Sequence, residues 1–250
     1  MILDFDRLET LDPRAFRAQK PYPWLNPEGC LTERGFRRLV SSLPELELFE
    51  ARIGESRRFG QQSHDRYVLE VRDDLPLAPA WRELLSELRS RRYRRWLARM
   101  IGTRSFFLDF HWHYTANGCS VAPHCDALRK LGSHIFYLNT RDDWNPAWGG
   151  QTLVLDEGDP DAADAREDPR LERQSAPDFD DFAIQIPSQA IGNHSLLFVR
   201  RGDSWHGMRE LRCPTDRLRR VFIVVINRGG ITGRVRTRLS QRAHRARNRS

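Results

Sequence analysis

The chain has 250 residues, a formal net charge of +7 and 39% apolar residues, which is enough for a sizeable hydrophobic core. No apolar run approaches the roughly 18 residues that a membrane-spanning helix needs, and residues 1–10 lack the basic start and apolar core of a signal peptide. The four cysteines show neither zinc-type pairing nor a dense disulfide pattern. These features argue against a membrane protein or a small disulfide scaffold and favour a cytoplasmic globular protein.

Nearly all of the positive charge is arginine, because Lys20 and Lys130 are the only lysines. Much of the excess lies in the tail, residues 231–250, which contains no acidic residue and is expected to be flexible. A general bias toward arginine explains this composition, and so does attraction to an anionic partner such as RNA. Contact with nucleic acid through the tail is therefore kept as the less favoured alternative.

Residues 1–104 are predicted to form a mixed, largely helical region. Thr32 is a candidate N-cap for a helix that begins LTERGF, and residues 67–71, YVLEV, are a short strand candidate. Apolar side chains then recur at helical spacing from Trp81 to Ile101, which predicts one long amphipathic helix or two helices with a break near Ser90. We expect this region to pack on a sheet and support it.

From Ser105 onward the apolar period changes to two. One face of residues 105–115 is aromatic and ends in Tyr114, and further strand candidates are SHIFYLN, GGQTLVLD, SLLFVRR and RRVFIVVIN. The pattern predicts a mainly β fold with flanking helices (α+β), in which residues 105–230 form a jelly roll supported by the N-terminal helices. Residues 156–183 are rich in charge and proline and are expected to be a mobile insertion that could cover a pocket.

A candidate metal site begins with His124 and Asp126 in the stretch SVAPHCDA. Residues i and i+2 of a β-strand project from the same face, so an imidazole and a carboxylate would point together. The third candidate is His206, which follows the strand candidate SLLFVRR. Two histidines and one carboxylate on one face of a metal, with the other positions open, are typical of non-haem Fe(II) oxygenases. An HxD pair alone is a weak signal, and the distant histidine strengthens it.

If such a site used 2-oxoglutarate, we would expect an arginine in it, because a guanidinium donates two parallel hydrogen bonds to a carboxylate. Arg220 opens the apolar segment RRVFIVVIN and shares a face with Phe222 in a regular strand. A buried arginine is costly unless it is paired. Arg220 is preferred over Arg219 on this alternation, and the alternative is that either one ends the strand at the surface.

Six segments follow one another between Ser105 and Asn227: YTANGCSVAPHCDA, IFYLN, DWNPAWGGQTLVL, SLLFV, WHGM and RRVFIVV. In this order they resemble the prolyl-4-hydroxylase-like branch of the 2-oxoglutarate and Fe(II)-dependent dioxygenases. The resemblance covers about half of the chain. It implies a double-stranded β-helix, which is a jelly roll with the metal near one mouth.

The resemblance also implies roles for individual residues. His124, Asp126 and His206 match the iron ligands. The 2-oxoglutarate carboxylate would be held by Arg220 and Tyr114, and Tyr137 matches a second tyrosine that lines the pocket. The interval from His206 to Arg220 is longer than is usual in the family, which leaves Arg217 and Arg219 as alternatives to Arg220.

Other histidines are weaker candidates for a metal site. His111 and His113 lie on the face opposite the aromatic stripe, where exposure or packing near the site is the favoured interpretation. His134 is expected to be structural, and His194 precedes the strand that His206 follows. Cys125 lies between two candidate ligands and is expected to be a small packed residue.

The sequence therefore predicts a hydroxylase that uses Fe(II), 2-oxoglutarate and O2 and releases succinate and CO2. Its substrate would be an amino acid, another small metabolite or a residue in a protein, with the small molecules slightly preferred. A nucleic-acid demethylase is less favoured. The branch of the family with that activity has a second arginine six residues after the first, and this chain has Ile226 at that position. The alternative from another class is a non-catalytic jelly roll that binds RNA or a protein partner through its arginines.

Overall fold

The computed structural model describes residues 1–54, 64–158, 177–202 and 204–229. The helices are α1 Phe5–Glu9, α2 Pro13–Ala18, α3 Glu33–Val40, α4 Pro79–Arg89 and α5 Arg91–Ile101. The strands are β1 Trp24–Leu25, β2 Glu50–Arg52, β3 Arg66–Glu70, β4 Phe106–Thr115, β5 Val121–His124, β6 Lys130–Tyr137, β7 Leu153–Asp156, β8 Ile184–Pro187, β9 Ser195–Val199, β10 His206–Met208 and β11 Arg219–Arg228.

The strands form two antiparallel sheets that enclose a shared interior. In the described part of the chain, the large sheet has the order β1-β9-β6-β11-β4-β3-β2 and the small sheet the order β5-β10-β7-β8. Side chains from both sheets meet in one apolar cluster, in which Val154 of β7 packs with Ile135 of β6 and Val221 of β11. The predicted jelly roll with flanking helices is confirmed.

Helices cover the outer face of the large sheet. Trp81 of α4 lies 5.0 Å from the ring of Trp112 on β4 and 5.3 Å from the ring of Phe222 on β11, measured between ring centroids. All three side chains are fully buried. Burying a large apolar side chain contributes about 1.5–3 kcal/mol to stability, so this contact does much to hold the helical layer on the sheet.

Local sequence signals explain where the helices begin and end. The apolar repeat from Trp81 to Ile101 forms two helices, because Ser90 is extended and its hydroxyl accepts a hydrogen bond from the Tyr93 amide. Thr32 caps α3 in the same way by accepting from the Gly35 amide. Both interpretations of the sequence at these positions are confirmed.

The N-terminal region does more than support the barrel, since it also contributes strands β1, β2 and β3 to the large sheet.

Most of the insertion expected at 156–183 and the whole tail 231–250 lie outside the described residues. At the end of that insertion, Phe179 and Phe182 are buried against Trp205, so residues near them belong to the packed structure. None of the described helices has the length and apolar character needed to cross a membrane.

Candidate metal centre

The three predicted ligands come together at one end of the small sheet. His124 is the last residue of β5 and lies directly opposite His206, the first residue of the neighbouring strand β10. Asp126 follows two residues after β5 ends, so it is not held in the regular strand that its spacing suggested. One ligand atom from each residue lies within 4.8 Å of the others. Within the described ranges, no second group of three His, Cys, Asp or Glu side chains is arranged in this way.

Both imidazoles are oriented by main-chain carbonyls. Nδ1 of His124 lies 3.0 Å from the Ala122 carbonyl oxygen, and Nδ1 of His206 lies 3.1 Å from that of Ser204. A carbonyl oxygen only accepts, so Nδ1 carries the hydrogen and Nε2 keeps the lone pair that a metal needs. Burial lowers the pKa of His206, although Asp126 opposes this effect, and the ring is therefore neutral at pH 7.

Asp126 is buried and ionised. Burial alone would raise its pKa, but the positive charge of the Lys130 ammonium holds the pKa of Asp126 well below its usual range. The two imidazoles add to this effect at the low pH where they are protonated. Oδ1 accepts a hydrogen bond from Lys130 Nζ at 2.6 Å, whereas Oδ2 is buried without a hydrogen-bond partner. A buried carboxylate oxygen without a partner is costly, and a cation bound between the three side chains would satisfy it. The donor set of two nitrogens and one carboxylate oxygen fits Fe(II).

A cavity of about 310 Å³ adjoins the three ligands between the sheets. Arg219 lines it and is only 7% exposed. Its Nε donates to the Gly150 carbonyl at 2.6 Å and its Nη2 donates to Thr152 Oγ1 at 3.2 Å. No carboxylate of the described residues lies within 4.0 Å of this guanidinium, and burial lowers its pKa. The cavity therefore holds a fixed arginine whose partners among the described residues are neutral hydrogen-bond acceptors, with no counter-ion among them.

Tyr137 lies beside this arginine on the interior side of β6. Its hydroxyl donates to Thr152 Oγ1 at 3.0 Å and lies 2.8 Å from Ser188 Oγ. The Arg219 guanidinium carbon lies 5.5 Å from the centre of the Tyr137 ring. Tyr137 therefore packs behind Arg219 and Thr152, which line the cavity, and is not itself one of the lining residues.

Arg220 and Tyr114 lie on the other face of the large sheet. They are directly opposite each other on β11 and β4. Arg220 pairs with Asp143 at 2.8 Å, and the Tyr114 hydroxyl donates to the Pro44 carbonyl at 3.2 Å. Arg220 does share a face with Phe222 as predicted, but the helices cover that face. The expected placement of Arg220 and Tyr114 in the pocket is therefore corrected, and Arg219 is the arginine inside.

The other described histidines are not grouped with the three ligands, although the His64 ring lies only 4.1 Å from the His124 ring, measured between centroids. His113 lines the cavity wall, and the neighbouring His111 ring lies 6.0 Å from it. Burial lowers the pKa of both rings, that of His111 to about 3. His134 is fully buried on the helix-covered side and bonds the Tyr93 hydroxyl at 2.9 Å. His194 Nδ1 lies 2.7 Å from the Ile191 carbonyl at the far end of β9.

Three neighbours of the site were not identified from the sequence: Lys130, Arg200 and His64, which lines the cavity beside His124. Lys130 bonds the Asp126 carboxylate, and Arg200 Nε donates to the Asp126 main-chain carbonyl at 2.8 Å. A signal for Lys130 was present, because it follows Asp126 by four residues and is one of two lysines in the chain. Arg200 gave no signal, because it lies far from Asp126 in the sequence.

No family model and no curated protein matches the sequence, but solved structures match the fold. A prolyl hydroxylase from Trichoplax adhaerens, in complex with a hypoxia inducible factor oxygen degradation domain peptide, gives a TM-score of 0.61 at 12% identity and covers 90% of each chain. A Pseudomonas putida prolyl-4-hydroxylase gives 0.58 at 15% identity, over 87% of this chain and 97% of that one.

The non-heme alpha ketoglutarate dependent carbocyclase SnoK from nogalamycin biosynthesis gives a TM-score of 0.58 at 14% identity and covers 92% of each chain. These identities are low, so the likeness concerns the arrangement of strands and helices. The chain thus has the double-stranded β-helix fold of these oxygenases, with His124, Asp126 and His206 gathered beside its interior cavity.

Proposed function

We propose that the protein is an Fe(II)- and 2-oxoglutarate-dependent dioxygenase that hydroxylates a C–H bond of an amino acid, a small metabolite or a protein residue. The observation that carries this proposal is the convergence of His124, Asp126 and His206 beside a cavity that contains a buried arginine. None of the described carboxylates is paired with that arginine. Three protein ligands leave metal positions open for a co-substrate and O2, as an oxygenase requires. The fold shared with alpha ketoglutarate dependent and prolyl hydroxylase structures supports it.

Arg219 is proposed to hold the far carboxylate of 2-oxoglutarate. This guanidinium is 7% exposed, and its hydrogen-bond partners in the described ranges are neutral, so it would gain a counter-ion when a dicarboxylate enters. Thr152 and Tyr137 keep the guanidinium and its neighbours in place through their hydroxyl groups. This proposal moves to Arg219 the role expected of Arg220, whose guanidinium is already paired with Asp143.

The bound metal, with O2 and 2-oxoglutarate, would supply the oxidising chemistry that releases succinate and CO2 and leaves a hydroxyl group on the substrate. The chain's own side chains provide the geometry and the environment. His124, Asp126 and His206 would hold the ion, and Arg219 would fix the direction of the co-substrate. Ile135 and Val221 line the cavity with apolar surface, which limits water and strengthens the electrostatic contacts within it.

Proteins with this fold differ in the reactions for which they are named. One of the similar structures is bound to a peptide fragment, and another is a carbocyclase from a biosynthetic route. We keep the small-molecule substrate slightly ahead of the protein residue for this chain, since the described residues show no groove with a peptide-binding motif. The residues lining the cavity include Arg66, Arg129 and Lys130, so polar or charged groups can be placed at its mouth.

The test first measures binding of Fe(II) and 2-oxoglutarate and then measures catalytic turnover. Fe(II) followed by 2-oxoglutarate is added to the purified protein without oxygen, and a weak visible charge-transfer band is expected for the wild type and not for His206→Ala. Succinate release is then measured over pools of amino acids, peptides and cell metabolites. Absence of the band, combined with salt-sensitive RNA binding, would contradict the proposal and support the non-catalytic binding module instead.

A further inference from the structure

A basic surface lies on helix α5, on the side of the large sheet opposite the metal centre. Arg91, Arg95 and Arg99 follow each other at intervals of four residues and are exposed, and Arg94 and Arg104 flank them. Residues four apart lie above one another on a helix, about 6 Å apart along its axis. These five residues are called the α5 basic surface. They place a row of guanidinium groups along one face of the molecule.

No ion pair joins this surface to a carboxylate of the described residues, although Glu9 is near enough to Arg95 and Arg99 to interact with them electrostatically. No carboxylate of those residues lies within 4.0 Å of any of its five guanidinium groups, although Arg94 donates to the Phe106 carbonyl at 2.9 Å. Arg92 on the same helix differs, because it pairs with Glu9 and Asp6. Like charges four residues apart destabilise a helix, so a bound anion would stabilise this row of arginines.

The end of the described chain is close to the same surface. The Gly229 amide donates to the Ser105 carbonyl at 2.8 Å, next to Arg104. The sequence that follows, residues 230–250, contains seven arginines and no acidic residue. The structured arginines and the basic segment therefore begin at adjoining positions, which supports a common anionic partner.

We propose that the α5 basic surface binds the phosphate backbone of a nucleic acid. A cleft of about 430 Å³ is lined by four of its arginines together with Ala98 and Phe106, and guanidinium groups are well suited to phosphate. A regular row of cations suits a polymer with regularly spaced anions. A membrane surface is disfavoured, because interfacial helices present an apolar face and the large exposed apolar side chains of the described residues lie elsewhere.

The test compares two triple variants of the full chain that lose the same charge. Arg91→Gln, Arg95→Gln and Arg104→Gln remove part of the α5 basic surface, and Arg34→Gln, Arg37→Gln and Arg212→Gln remove three exposed arginines elsewhere. Fluorescence anisotropy with labelled duplex DNA and single-stranded RNA gives Kd over a range of salt concentrations. The first variant is expected to bind about 10–100-fold more weakly than wild type at moderate salt, with a salt slope smaller by about 2–3. The control should change by less than about 3-fold.

Three results would overturn the proposal. The first is an equal loss in both variants, which would assign binding to total charge or to the basic segment. The second is a wild type that binds neither DNA nor RNA. The third is binding to vesicles that contain anionic lipid without binding to nucleic acid. The ratio of DNA to RNA affinity identifies which nucleic acid is preferred.

A second inference concerns Lys130 and rests on the proposed metal site. Asp126 lies after the end of β5, so regular strand hydrogen bonds do not fix it. Two positively charged side chains hold Asp126 instead. Lys130 Nζ donates to Oδ1 at 2.6 Å, and Arg200 Nε donates to the main-chain carbonyl at 2.8 Å. Oδ2 is the oxygen without a partner. The geometry points to Lys130 as a positioning residue, which holds one carboxylate oxygen and presents the other to the metal.

Replacing Lys130 tests this role by direct metal binding. Lys130→Met is expected to weaken Co(II) or Fe(II) binding about 10–100-fold, as measured by anaerobic calorimetry, because partners that orient metal ligands have effects of this size. Lys130→Arg should restore part of the affinity. Lys20→Met, which removes the other lysine of the chain, should leave the affinity unchanged. Thermal unfolding of the metal-free proteins shows whether each variant is folded.

The outcomes separate this inference from the proposed function. A wild type that binds no metal would contradict the metal site itself. A wild type that binds metal, with Lys130→Met binding equally well or more tightly, would contradict only the positioning role. Tighter binding would mean that the ammonium group competes with the metal for Asp126.

Discussion

At the level of single residues, the two adjacent arginines Arg219 and Arg220 have opposite environments. Arg219 faces the cavity and bonds neutral oxygens, whereas Arg220 faces outward and is paired with Asp143. The chain therefore contains its own matched control for the co-substrate site. Arg219 is not paired with a described carboxylate and should therefore be needed to bind 2-oxoglutarate. Arg220 is already paired with Asp143 and should not be needed.

Arg219→Met should raise the Kd for 2-oxoglutarate by about 30-fold or more, because removing one partner of a buried charge pair costs about 2–5 kcal/mol. Arg220→Met should change this Kd by less than about 3-fold. Both are measured by titrating 2-oxoglutarate into the Fe(II)-loaded protein without oxygen. An equal effect in the two variants, or a larger effect in Arg220→Met, would assign the co-substrate to another position.

His134 should make stability depend on pH. Burial lowers the pKa of His134 to about 3, and its ring packs against Tyr93 and Phe136. The unfolded imidazole takes up a proton below about pH 6.5 while the folded one does not, so the free energy of unfolding falls as pH falls from about 6.5 toward 3. This single group contributes up to about 1.4 kcal/mol per pH unit in that range.

Urea denaturation at several pH values between 7 and 4.5 measures the effect. His134→Gln keeps a polar partner for Tyr93 but has no proton to gain, so its free energy of unfolding should fall less steeply than that of wild type. His111 and His113, whose pKa values are also lowered, contribute to both proteins equally. Parallel curves for the two proteins would show that His134 is not buried in neutral form.

At the level of secondary-structure elements, alternation along β11 and β4 identifies which residues share a face but not which face looks inward. On β11 the face with Phe222 is more apolar and packs under the helices, while the face with Arg219 and Val221 lines the cavity. Both faces are largely apolar, because a sheet covered on each side buries both. For this reason the sequence misplaced Arg220 and Tyr114, and Tyr137 lies behind Arg219 instead of on the cavity wall.

The ligands were easier to predict than the arginine for a physical reason. His124, Asp126 and His206 are polar side chains next to apolar strands. They can be recognised as candidate ligands from their residue types alone, without knowing which face of the sheet points inward. The short strands β5, β8 and β10 carried no clear signal, because they have three or four residues each and depend on pairing between distant segments. Helices α4 and α5 were predicted well, since their repeat and the Ser90 cap are local.

The helical layer should be important for stability and not for metal affinity. Trp81→Ala removes the side chain that packs on Trp112 and Phe222 and should lower the free energy of unfolding by about 3–5 kcal/mol. Ser86→Ala, an exposed position on the same helix, should change it by less than about 0.5 kcal/mol. Chemical denaturation compares them, and near-equal effects would mean that α4 is not packed as described.

At the level of the whole molecule, ligand binding and folding should be linked. The metal ligands come from β5, from the segment after it and from β10, and the arginine comes from β11 in the other sheet. A ligand that contacts both sheets binds the folded state only, and at 100 times its Kd it adds about 2.7 kcal/mol to stability. Mn(II) with 2-oxoglutarate should therefore raise the Tm more than Mn(II) alone. No added shift from 2-oxoglutarate in wild type would contradict a site that spans the two sheets.

The central claim is that three side chains bind one metal ion beside Arg219. A crystal structure of the protein with Mn(II) and 2-oxoglutarate, grown without oxygen, tests it most directly. We predict a single anomalous peak about 2.0–2.3 Å from His124, Asp126 and His206, and a 2-oxoglutarate carboxylate paired with Arg219. A metal bound elsewhere, or a 2-oxoglutarate whose far carboxylate does not reach Arg219, would contradict the account.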